Sequence, residues 1–111
     1  MLNKNTRVVL CVNSISTLKK DLIDIDKFKN IIVAYEPDEY IGTNNIISED
    51  AIRNFILEAR IITNNESKIV YGGGVNINNI RILKEIDELS GIMIGKACAN
   101  INSFIDIINA Y

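Results

Sequence analysis

Four short apolar runs, each followed by a stretch with helical spacing, leave this chain few folds to choose from. The runs are RVVLCV (7–12), IIVAY (31–35), KIVY (68–71) and GIMI (91–94). Each is short, β-branched and apolar at successive positions, as strands read when both faces of a parallel sheet are covered. Ser48 is placed to cap the helix after the second run, with Glu49 and Asp50 in its first turn, where the helix dipole favours acids. Ile52, Phe55, Ile56 and Ala59 then form one apolar stripe. Asn76 is placed to cap a third helix with Ile80 and Leu83 facing inward, and Ile101, Phe104, Ile105 and Ile108 stripe the last. A shorter first helix runs around Ile15, Leu18 and Leu22. The order βαβαβαβα demands right-handed crossovers and a parallel sheet. It predicts a small open α/β sheet with helices on both faces, or a (βα)4 half of a (β/α)8 barrel. Periodicity does not separate the two.

Size and charge narrow the partners. With 111 residues the chain is expected to form a single domain over residues 1–111, large enough for a modest core. A net charge of -2, with the signs interspersed, supplies neither a stripe for nucleic acid nor a polybasic patch for a membrane surface. No apolar run is long enough to cross a bilayer, and MLNKNTRVVLCVNS turns polar too soon for a secretory signal. Cys11 and Cys98 lie far apart, there is no CxxC, and the chain has no histidine to complete a metal site. The expectation is a pair of buried, reduced thiols in a cytoplasmic protein. No metal or organic cofactor is implied.

The unusual residues fall in the strand-to-helix loops, where both candidate architectures place ligands. YGGGVN (71–76) sets three glycines directly after a strand. Glycine lets backbone come close to a ligand, and amides near a helix start suit an anion. A tight turn needing one positive φ is the structural alternative, and a single glycine satisfies that. IGKACAN (94–100) repeats the arrangement one strand later, with Gly95 baring backbone and Lys96 free to act as a point charge or to sit in solvent. IVAYEPDEYIGTN (32–44) ends a hydrophobic strand on Glu36, and the chain's only proline, Pro37, follows at once. A carboxylate there is placed to take a proton from carbon beside an anion site, or it is a surface residue in an acidic loop with Asp38 and Glu39.

These three motifs, in this order and spacing, resemble the triosephosphate isomerase family from about Val8 to the carboxyl terminus. AYEPDEYIGT is similar to its catalytic-glutamate and lid segment, YGGGVN to its next phosphate loop, and GIMIGKACANINSFIDIIN to its last strand, phosphate turn and closing helix. The resemblance implies strands five to eight of the barrel, with Glu36 as the proton-shuttling base. It implies a lid of Pro37, Asp38, Glu39, Tyr40, Ile41, Gly42, Thr43 and Asn44. It implies that Gly42, Gly73, Gly74 and Gly95 offer amides to the substrate phosphate; Lys96 stands where the family usually has glycine, so that either an extra cation joins the site or the turn is distorted. Gly74 stands where the family usually has serine. The implied substrate is a triose phosphate, interconverted between glyceraldehyde 3-phosphate and dihydroxyacetone phosphate.

The resemblance covers only the second half of that barrel. A lysine, a histidine and a second glutamate that complete the family's site belong to its first half and have no matching motif here. Lys4 precedes the first strand and is expected at the barrel's opposite end. A four-stranded half-barrel leaves its inner face unpacked and two strands at the edges, which invites association with a second copy or with a complementary N-terminal half.

Overall fold

The computed structural model describes residues 5–111, and Lys4 lies outside them. The elements follow the expected alternation: β1 (Val8–Val12), α1 (Ile15–Asp21), β2 (Ile31–Tyr35), α2 (Glu49–Ile62), β3 (Lys68–Gly72), α3 (Ile80–Lys84), β4 (Gly91–Met93) and α4 (Ile101–Ala110). Strand bounds fall within one residue of those read from the sequence. All four strands are parallel and lie in sequence order, β1-β2-β3-β4.

That order, together with one core, settles the architecture. A doubly wound sheet reverses its strand order at a switch point and buries both faces. Here Ile31, Val33, Tyr35, Ile69 and Tyr71 from the strands share a single buried cluster with residues of all four helices: Leu18, Ile52, Phe55, Ile56, Ile80, Leu83 and Ile107. Alternate strand residues point the other way. Val9, Cys11, Ile32, Val70 and Met93 lie on that opposite face, and Val9 keeps 53% of its surface exposed. The chain is a (βα)4 half-barrel whose inner face is open.

Local signals explain most of the elements. Ser48 Oγ accepts from Ala51 N and starts α2, whose stripe of Ile52, Phe55, Ile56 and Ala59 is fully covered. Ser14 caps α1 in the same way through Thr17 N. Asn76, expected to cap the third helix, caps the turn before it: its Oδ1 accepts from Asn78 N and Asn79 N, and α3 proper begins at Ile80. Among the described residues no helix is long and apolar enough to cross a membrane.

Two expectations are corrected. The stripe expected to bury α4 does not: Ile101, Ile105 and Ile108 are exposed, Phe104 is half-buried, and Ile107 is the covered residue. Phe104 and Ile108 instead line an apolar groove with Ile92, Ile94 and Tyr111 at the β4 edge, where the sheet has no further strand among the described residues. The thiols are free, as expected, but both are exposed rather than buried. Cys11 projects from the open inner face, and Cys98 sits in the turn 96–99 beyond β4.

Candidate active site

The carboxyl ends of β2, β3 and β4 meet at one edge of the sheet. Glu36 continues β2 by one residue: its N–H donates to Val12 O at 2.8 Å, the last bond of that ladder, and Pro37 has no N–H to add another. Its carboxylate then lies over Gly72. A Cβ added at Gly72 would stand 3.1 Å from Glu36 Cγ and 3.3 Å from both Glu36 Oε2 and Met93 Cβ. The first glycine of the triplet is therefore there for space. The other two meet a demand of backbone conformation, with φ of +117° at Gly73 and +73° at Gly74, and Gly74 also packs against the main chain of Asn45. The turn takes two positive φ values, where a simple strand-to-helix turn needs one.

Glu36, Ile41, Gly42, Thr43, Gly73, Gly74, Gly95 and Lys96 line one cleft, with Val75, Met93 and Ile94. The acid and both glycine turns thus share a site. It encloses about 100 Å³, well under the roughly 300 Å³ at which drug-sized pockets begin. It suits a small polar group. Of the eight residues of the expected lid, Ile41, Gly42 and Thr43 reach this cleft. Pro37, Asp38, Glu39 and Tyr40 line a separate outer groove with Asn13 and Ser14, and Asn44 lies beyond both.

Side chains not singled out from the sequence fix this segment at each end. Asn13 Nδ2 donates to Asp38 Oδ2 at 2.8 Å, while Thr17 Oγ1 donates to Asn13 Oδ1. At the other end Tyr71 Oη accepts from Ile47 N at 3.0 Å and donates to Gly73 O at 2.8 Å, tying the segment to the glycine turn. Tyr71 reads from the sequence as one more apolar strand residue. It is completely buried, edge-on to Tyr35, which stacks on Phe55. The hydroxyl at the end of that ring is what the strand pattern conceals.

Two titrations carry information. Burial pushes the Tyr71 phenol up to about 12, partly opposed by the hydrogen bond from Ile47 N and reinforced by Tyr35 and Tyr40. A folded state that keeps a proton the unfolded chain has released loses stability as pH rises. The Tyr71 contribution should be whole below pH ~10 and fade toward pH ~12, by on the order of 2 kcal/mol. Urea melts across that interval, compared with Tyr71→Phe, check this: the substitution should flatten the decline. Cys11 is an exposed residue, yet its thiol is held above the ordinary range. The protein packed around the sulfur contributes most, followed by its hydrogen bond to Glu36 and the like charge of that carboxylate.

A parallel α/β half-barrel that gathers an acid and two glycine turns at the carboxyl edge belongs with the barrel proteins whose sites sit on that face. The family model for triosephosphate isomerase matches residues 1–111. Relatives include the triosephosphate isomerases of Mycoplasma genitalium, 33% identical over 99% of this chain and 53% of the relative, and of Mycoplasma pneumoniae, 31% identical over 94% and 50%. That of Ehrlichia chaffeensis is 38% identical over 82% of this chain and 40% of its own length. The chain belongs to the triosephosphate isomerase family, and it spans about half the length of the curated relatives it matches.

Proposed function

We propose that the chain carries the proton-transfer and phosphate-binding half of a triosephosphate isomerase acting in the cytoplasm. In this reading the substrate phosphate rests against the backbone of Gly73, Gly74 and Gly95, with Gly42 above it and Lys96 adding charge. Glu36 removes a proton from the carbon beside the carbonyl, leaving an enediolate, and returns it to the neighbouring carbon. One observation carries the reading: Glu36 and both glycine turns line the same cleft. The catalytic half is completed by a complementary (βα)4 half, on the same polypeptide or another, seated on the open inner face and the groove beside β4. The chain's span of about half its relatives supports that partner over a second copy.

A second reading, binding without turnover, has support of its own for the chain as it stands. It contains no histidine, so no imidazole polarises a carbonyl. Titration with phosphoglycolate, an enediolate mimic, tests the shared element. Binding is expected to weaken severalfold in Lys96→Met and with added salt. Absence of binding into the millimolar range by the chain alone would remove the binding reading, and absence of binding by the pair with its complementary half would remove the isomerase reading as well, leaving a half-barrel whose role is assembly.

A further inference from the structure

We propose that Asn76 is a positioning residue: its side-chain amide latches the last residue of the lid, Asn44, and the segment 45–47 that follows it onto the glycine turn, and Gly74 is the vacancy that lets the latch close. This deepens the reading of residues 37–44 as a cover for the anion cleft and rests on it.

The geometry is explicit. A Cβ built on Gly74 would collide with the backbone carbonyl of Asn45. The carbonyl is main chain rather than the end of a flexible side chain, so any other residue at 74 forces the lid segment to move. With no side chain at 74 to hold the lid, Asn76 reaches it instead. Its Nδ2 donates to Asn44 O at 2.8 Å and to Gly74 O at 3.2 Å, bridging lid and turn. The backbone N–H groups of Asn78 and Asn79 on Oδ1 fix which way this amide faces. Asn79 holds the turn from its other side, donating from Nδ2 to Gly74 O at 2.8 Å and accepting from Asn76 N. The lid end is also closed on itself: Thr43 Oγ1 accepts from Asn45 N, and its single hydrogen has two carbonyls in reach, Tyr40 O at 2.7 Å and Asn45 O at 3.0 Å. Asn76 thus does two separable things: its oxygen caps the turn before α3, and its nitrogen holds the lid.

Asn76→Ser separates them, because a serine oxygen still caps but does not reach Asn44 O. Amide hydrogen exchange of the full chain, without ligand, is the measurement, with the amides of Thr43, Asn45 and Ile47 as reporters. Exchange there should rise roughly fivefold to tenfold, what one hydrogen bond is worth. The thermal midpoint and the exchange of α2 and β2 should stay as they were. Gly74→Ala should raise exchange at the same amides by at least as much, from the opposite side of the contact. Unchanged exchange at 43–47 in both variants would overturn the latch, and so would a rise spread evenly over the chain. Phosphoglycolate titration of the same samples keeps the two ideas apart. Localised exchange with no binding in any variant would leave the latch standing and sink the phosphate reading. Binding with unchanged exchange would do the reverse.

Discussion

Mixed with a polypeptide carrying the complementary (βα)4 half, including a histidine and a lysine at its site, the chain is expected to gain isomerase turnover at least about a thousandfold above either half alone. Proton transfer from carbon needs a base and also an electrophile for the developing enediolate, and removing one such stabilising group costs on the order of 10²–10³ in rate. The isolated chain offers Glu36 from a partly exposed position on an open sheet face, and no histidine. It lacks both the electrophile and the walls that exclude water. In the reconstituted pair, Glu36→Gln should remove roughly a further 10²–10⁴, the usual contribution of a general base. Stopped assays of glyceraldehyde 3-phosphate conversion, with sedimentation of the mixture, check both parts. Turnover by the chain alone at ordinary enzyme rates, or a reconstituted activity indifferent to Glu36→Gln, would overturn the assignment. Halves that stay monomeric together at high concentration would overturn the proposed partner.

The fold was largely legible because its signals are local. The Ser48 cap, its two following acids and the stripe from Ile52 to Ala59 all describe one surface helix meeting one face, and nothing distant competes with them. The α4 stripe failed for the opposite reason. Periodicity reports that Ile101, Phe104, Ile105 and Ile108 share a side, but which side is covered depends on what lies past β4, and no element of the described residues does. Cys11 failed likewise, since its burial requires a barrel interior that half a barrel does not enclose.

At the site, residue types with few uses were readable and residues with many uses were not. A proline after a strand-end glutamate and three glycines in a row are hard to explain without a special backbone. Tyr71, Asn13 and Asn76 are ordinary as letters, and they matter through partners 24, 25 and 32 residues away in sequence. No spacing rule links an asparagine in one loop to a carbonyl in another. The reason for each glycine was equally hidden, because the sequence presents three identical residues while the structure gives Gly72 a packing constraint, Gly73 a conformational one and Gly74 both.

That distinction makes Gly72 the sharpest probe of Glu36. Its φ is not in the left-handed region, so alanine or valine meets no backbone objection, and valine suits a strand. What a Cβ meets is the catalytic candidate itself, 3.1 Å away at Cγ, and, at 3.3 Å, Met93 Cβ on the neighbouring strand. The carboxylate is the yielding partner, being the free end of a side chain on an uncovered face. Gly72→Ala should therefore shift Glu36 by a few tenths of an ångström and Gly72→Val by nearer 1 Å, a displacement that costs roughly a hundredfold in rate. In the reconstituted pair, kcat is expected to fall about tenfold for alanine and about a hundredfold for valine. KM should hold within about twofold, because the phosphate contacts proposed at Gly73, Gly74 and Gly95 are untouched. The urea midpoint of the chain should change little, since the clash is relieved into open space rather than into a packed core. A parallel loss of stability would mean that the sheet, not the carboxylate, had yielded. Unchanged kcat in both variants would mean that the acid beside Gly72 does not take the proton.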